Sequence, residues 1–382
     1  MRDPRLDKLA AVIVDYSTNV QPGQYVLLKG EPIGMPLFEA LYERIIKKGA
    51  YVRFDCQPDS FRQTLLTHGN EDQLAHLPDL LMQEVEMMDV SIGLWAETNT
   101  KSLTGIDPSR QGKASAARRP YMKIFMERAA KGELKWCGTL FPTSASAQDA
   151  EMSLSEYEDF VFRAGYLHLD DPVAKWKEIE VCQQKVADYL NDGKKEVRFQ
   201  TANGTDLTVN VEGMQWINCA GRENFPDGEV FTGPNLNAAC GGVNGIVRYS
   251  FPAVHKGREV DGVELVFERG RVVRAKASKN EDYLIKMLDQ DEGARSVGEI
   301  AIGTNYCIQR CTRNTLFDEK IGGTFHLAVG AGYPETGNTN DSGLHWDMVC
   351  DLRTGGTIEV DGELIMQDGR FCHAEWPQPE ND

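Results

Sequence analysis

Through the first half of this chain short apolar runs alternate with longer helical patterns, and that order constrains the fold more than any other feature. Tyr25-Val26-Leu27-Leu28 reads as a strand. A helix from about Met35 to Lys48 follows, and Gly49 ends it. Tyr51-Val52-Arg53-Phe54, Val90-Ser91-Ile92-Gly93-Leu94-Trp95 and Leu134-Lys135-Trp136-Cys137 read as three further strands. Between the last two lies a helical segment from roughly Ala114 to Lys131. Strands alternating with helices imply βαβ units and a mainly parallel sheet. A parallel sheet needs cover on both faces, so this half is expected to be a three-layer α/β domain.

A helical stretch from about Pro172 to Leu190 leads out of that domain, and the pattern then changes. Asn203-Gly204 is a hairpin turn signal between two β-rich runs. Val263 to Phe267 and Arg271 to Ala275 flank a second turn at Arg269-Gly270. The expected organisation is an α/β domain over residues 1–190 and a mixed α+β domain, largely antiparallel, over 191–382. No internal repeat or low-complexity linker interrupts the chain.

Length agrees, since 382 residues fit two domains. No apolar run approaches the ~20 residues that span a bilayer. The N-terminus, Met1-Arg2-Asp3-Pro4-Arg5, has no apolar core of a secretory signal. Nine scattered cysteines, an odd number, point to reduced thiols and a cytoplasmic protein. A formal charge of −17 repels phosphate backbones and argues against nucleic acid as a partner.

Candidate chemistry lies in the second half. His345-Trp346-Asp347 falls in an apolar run from Leu344 to Val349. Residues two apart in a strand share a face, so His345 and Asp347 present an imidazole and a carboxylate side by side. That pair suits zinc, manganese, cobalt or iron. His326 falls mid-strand in Gly322-Gly323-Thr324-Phe325-His326-Leu327-Ala328-Val329, where a lone imidazole reads first as a satisfied core histidine. The Gly-Gly pair permits a sharp bend that brings Glu319 near His326. Glu229 interrupts the turn-rich segment Pro226 to Pro234, and Glu299 follows Asp291 to Gly298, which reads as the first turns of a helix. The other five of the seven histidines, His68, His76, His168, His255 and His373, read as surface or loop residues. Cys307 and Cys311 lack the second cysteine pair of a zinc finger and read as structural thiols. Gly30-Glu31-Pro32-Ile33-Gly34 does not make a dinucleotide fingerprint.

These segments together resemble the thermophilic metallo-aminopeptidase family of the aminopeptidase T and aminopeptidase S type, leucyl aminopeptidase-like in activity. The strings occur in family order: Phe225 to Pro234, Asp291 to Glu299, Asn314-Thr315-Leu316-Phe317-Asp318-Glu319, His326 to Gly330 with Tyr333, and His345-Trp346-Asp347. Arg119-Pro120-Tyr121-Met122 and Lys131 to Trp136 extend the likeness through the N-terminal half. There are two departures. Gly322-Gly323 widens the gap between Glu319 and His326 to seven residues, and the segment between Tyr333 and His345 is short, about Pro334 to Asp341.

The resemblance implies two divalent metal ions per chain, drawn from zinc, cobalt, manganese or magnesium. Their ligands would be Glu229, Glu299, Glu319, His326, His345 and Asp347, with Tyr333 catalytic and Glu319 either ligand or general base. It implies a cytoplasmic homodimer acting on peptides with a free N-terminus. The charges agree, because two divalent cations balance four carboxylates, and metals of this kind lower the pKa of bound water towards ~7. The alternative is a mononuclear iron, ring-cleaving dioxygenase of the dihydroxypyridine type, held by His326, His345 and Asp347. Such a site has no need of Glu229, Glu299 and Glu319 together.

Overall fold

The computed structural model describes residues 2–379 and divides into two compact units. One runs up to Trp176 and takes back Gly221–Pro226; the other holds Lys177–Ala220 and the described chain from Asp227 on. The sequence reading places the boundary at 190/191. The division instead falls inside the helix Pro172–Asn191, and a short later segment returns to the first unit.

In the first unit the strands Tyr51–Cys56, Tyr25–Gly30, Val90–Trp95 and Lys135–Leu140 lie side by side in that order, all parallel. A fifth strand, Asn224–Phe225, adds beside Lys135–Leu140, also parallel. Two residues carry no periodicity, so no sequence pattern announces it. The helix Met35–Lys47 buries Leu37, Leu41 and Ile45, spaced four apart on one stripe. Gly49, at φ +79°, turns the chain out of it. The single helix expected over 114–131 is two, Pro108–Ala117 and Arg119–Ala130. Pro120 supplies no N–H to continue the first and occupies the opening turn of the second.

The second unit is built on two antiparallel sheets. The larger has eight strands, in the spatial order Arg271–Lys276, Glu264–Glu268, Val243–Arg248, Asp206–Asn210, Glu196–Gln200, Thr357–Val360, Glu363–Gln367 and Arg370–Phe371. Both expected hairpins are in it. Gly204 (φ +94°) makes one turn, and Arg269 (φ +51°) with Gly270 (φ +80°) makes the other. The smaller sheet runs His345–Asp351, Thr324–Gly330, Val297–Gly303, Glu229–Thr232 and Ile217–Cys219. Phe199 of the large sheet and Phe325 of the small one stack with ring centroids 4.2 Å apart inside a single apolar core. No described helix is long and apolar enough to cross a membrane.

Candidate metal centre

Register across the smaller sheet decides which side chains meet. Glu299 pairs with Ala328, and Ala328 with Asp347. His326 pairs with Ala301 on one side and Val349 on the other. Gly303 pairs with Glu229, and Gly330 with His345. Paired residues, and residues two apart along a strand, point to the same face. Glu229, Glu299, His326, His345 and Asp347 therefore share one face. Ala301, Gly303, Ala328 and Gly330 lie among them and leave space between the longer side chains. The opposite face, Val230, Ile300, Ile302, Phe325, Leu327, Val329, Trp346 and Met348, is packed core.

Glu299 divides its carboxylate between the two histidines. Its Oε1 lies 3.5 Å from His326 Nε2 and its Oε2 lies 3.4 Å from His345 Nε2. Glu229 Oε2 is 3.3 Å from His326 Nε2, and Asp347 Oδ2 is 3.4 Å from His345 Nε2. Three overlapping sets of potential ligands result: Glu229, Glu299 and His326; Glu299, His345 and Asp347; and Glu319, His326 and Asp347. All six acids and imidazoles singled out in the sequence thus converge. The helical reading ahead of Glu299 is corrected. Only Gly293–Arg295 forms a short 3-10 turn, and Glu299 belongs to the strand Val297–Gly303. Gly298 opposes a longer helix there. A Cβ at this position would meet the Ala331 carbonyl oxygen at 1.9 Å.

Glu319 arrives from the short helix Thr315–Asp318, and the bend at Gly323 (φ +80°) turns the chain back into the strand that carries His326. Tyr333 follows that strand and packs edge-on against Phe231 and His345, at 5.4 and 5.2 Å between ring centroids. Burial, then the charges of Glu299, Asp347, Glu319 and Glu229, hold its phenol well above the usual tyrosine range, so the hydroxyl remains a donor.

Two functional features escape the sequence. Lys320 is 1 % exposed, and its Nζ lies 2.5 Å from Glu229 Oε1, 2.6 Å from Glu319 Oε1 and 3.7 Å from Asp227 Oδ1. Burial opposes its charge, but Glu229, Glu319 and Asp227 hold its pKa well above the usual lysine value. Asp318-Glu319-Lys320 looks like a solvated turn, and no spacing signal marks the lysine as buried. His255, read as a surface or loop histidine, ends the strand Ala253–His255 and is partly buried, with its ring 5.1 Å from that of Trp346. No disulfide joins Cys307, Cys311 or the other seven cysteines.

Burial lowers the pKa of His326, but the adjacent Glu299 carboxylate and the charges of Glu229 and Asp347 raise it to about 9. His345 is likewise lowered by burial and raised, chiefly by Asp347, to about 12. Several polar atoms here still make no hydrogen bond: Glu229 Oε2, both ring nitrogens of His326, and Asp347 Oδ1. Each unsatisfied buried group of this kind costs about 1–3 kcal/mol. Glu229 Oε2 and His326 Nε2, 3.3 Å apart and both without a hydrogen bond, call for a shared partner that accepts lone pairs. The donor set, carboxylate oxygens and imidazole nitrogens, fits divalent transition metals. His345 Nδ1 lies 2.9 Å from the Ala331 carbonyl oxygen, which fixes the proton there and leaves Nε2 as the donor.

The comparisons with known proteins agree with this chemistry. The family model described as thermophilic metalloprotease (M29) matches residues 2–371. Aminopeptidase 2 of Geobacillus stearothermophilus is 27% identical over 405 residues, covering 96% of this chain and 95% of that protein. Aminopeptidase T of Thermus aquaticus is 28% identical, covering 95% of each. The solved structure of wild-type AmpT from Thermus thermophilus superposes with a TM-score of 0.84 at 26% identity, over 97% of this chain and 99% of that one. These relatives lend the dioxygenase alternative no support.

Proposed function

This chain belongs to the thermophilic metalloprotease (M29) family, and we propose that it is a metallo-aminopeptidase that removes residues from the free N-terminus of peptides at a two-metal centre. The observation that carries the second ion is the placement of Glu299, with one oxygen towards each histidine. In this reading Glu299 would contribute to holding both ions. Glu229 and His326 complete one subsite, and His345 and Asp347 complete the other.

Bound divalent cations supply Lewis acidity towards the scissile carbonyl and lower the pKa of water. The chain's own groups do the rest. Ala331 holds His345 in one tautomer. Tyr333 keeps its phenolic proton and donates a hydrogen bond to the developing oxyanion. Glu319 has Oε1 engaged by Lys320, and its other oxygen serves as ligand or as the base that takes the proton of water. Glu319→Gln separates those roles: a base variant keeps its metal and loses turnover, whereas a ligand variant loses both.

Zinc, cobalt, manganese and magnesium all suit such a site, and supply often decides among them. A cytoplasmic setting agrees with nine cysteines that form no disulfide. The homodimer rests on the family resemblance alone. The deciding experiment is a panel of aminoacyl chromogenic substrates assayed after chelation and after return of each metal. Activity abolished by chelation and restored by a divalent cation supports the reading. Full activity in protein shown by elemental analysis to be free of metal overturns it.

A further inference from the structure

The buried ammonium of Lys320 takes no part in the bond-breaking steps above, yet it contacts both Glu229 and Glu319. Its ion pairs among the described residues are with Asp227, Glu229 and Glu319, and none reaches Glu299 or Asp347. Its backbone is fixed as well. Asn305 N–H donates to the Lys320 carbonyl at 3.0 Å, and Lys320 N–H donates to Phe317 at 3.0 Å. The ammonium is therefore held in place rather than swung in from a mobile surface side chain.

We infer that Lys320 is a positioning residue that makes the two metal subsites unequal, so that the subsite of Glu229 and His326, which Glu319 flanks, holds a divalent cation more weakly than the subsite of His345 and Asp347. The inference rests on the two-metal reading. Each of Glu229 and Glu319 gives one oxygen to the ammonium, so each has one left for a metal and neither can chelate through both. A fixed positive charge at 2.5–2.6 Å from those oxygens also repels a dication drawn to them. Burial removes most of the screening that would blunt that repulsion at a surface. Lys320 makes no ion pair with the other subsite and acts on Asp347 less than His345 and His326 do, while His345 is already oriented by Ala331.

Lys320 thus has two effects on the metal-free chain. It stabilises a pair of buried carboxylates that would otherwise face each other without a counter-charge. It also lowers the affinity of one subsite, making that ion the exchangeable one.

The test titrates Co²⁺ into chelated, full-length protein. Equilibrium dialysis with elemental analysis, alongside the visible absorption of each bound ion, gives the two constants. Wild type should bind two ions with affinities at least about tenfold apart, given a repulsion at such short range. Lys320→Met should tighten the weaker constant by about tenfold or more and move the tighter one by less than about threefold. Lys320→Gln, which keeps a hydrogen-bond donor without the charge, should behave in the same direction. Equal constants in wild type, or a weaker constant that is unchanged or loosened in both variants, would overturn the inference and leave the two-metal reading standing. Binding of a single ion by wild type would overturn both. Equal wild-type constants overturn the inference even where a variant does not fold, and Lys320→Gln carries the attribution to Lys320 where Lys320→Met does not fold.

Discussion

The Nδ1 of His345 lies 2.9 Å from the carbonyl oxygen of Ala331, so the ring proton is placed on the side away from the carboxylates. Nε2 then faces Glu299 and Asp347 and is the ring nitrogen left to bind a metal in place of a proton. His345→Ala should lower metal content and turnover together. The loss should exceed the about 10–100-fold typical of removing a residue that merely supports a ligand. Cys307→Ser and Cys311→Ser should leave metal content at the wild-type level. Elemental analysis beside a peptidase assay checks both, and metal lost only in the cysteine variants would move the centre elsewhere.

Gly298 makes that arrangement possible, because its lack of a side chain lets the Ala331 carbonyl approach. Gly298→Ala should shift this carbonyl and loosen the orientation of His345. Metal affinity should fall while secondary structure is kept. Unchanged affinity in a folded variant would show that the carbonyl contact is dispensable.

Tyr333→Phe keeps the ring that packs on Phe231 and His345 and removes only the hydroxyl. Metal content should stay at the wild-type level. Loss of one donor to an oxyanion typically costs ~10²–10³ in kcat. KM should move far less, because the interaction strengthens in the transition state. A fully metallated variant with near wild-type kcat would remove Tyr333 from the chemistry.

Selectivity for chain ends has its own outcome. A free α-amine can coordinate a metal and anchor the substrate, whereas an acetylated one is a poor donor. Peptides should lose residues singly from a free N-terminus, and N-acetylated versions should not be cut. Comparable rates on both, followed by mass spectrometry, would indicate an endopeptidase.

His255 sets a pH dependence of stability. Burial, then the nearby Lys256 charge, lowers its pKa from 6.5 to about 4. The unfolded chain therefore binds the proton more readily between those values. This contribution is complete above pH 6.5 and is lost as pH falls towards 4. About 2 kcal/mol of it falls between pH 7 and pH 5. Urea unfolding of metal-free protein at pH 7 and pH 5 measures it. His255→Phe, which can keep the contact with Trp346, should flatten the difference between the two pH values. An unaltered difference would show that the imidazole does not titrate in this window.

Local patterns made much of the fold readable. Val90–Trp95 is a strand with the bounds its apolar run indicates, and Asn203-Gly204 makes the hairpin turn that dipeptide favours. Failures occur where the deciding contact is remote. The acidic pair Asp291-Glu292 and the residues after it look like the first turns of a helix in isolation. The strand partner that claims Val297–Gly303 comes from residues 324–330.

The sequence by itself determined the alternation of strand and helix, the hairpins, and the face shared by His345 and Asp347. Each depends on residues a few positions apart and on backbone geometry with a period of two or of about 3.6. Tertiary structure alone decided which acids join them. Glu229 and Glu299 meet His326 only because three strands pair in a register that sets Ala301, Gly303 and Ala328 between the longer side chains. It also decided the role of Lys320. A lysine beside a glutamate ordinarily faces water. This one is buried because Glu229, 91 positions earlier, and Asp227 supply the charge that makes burial of an ammonium tolerable.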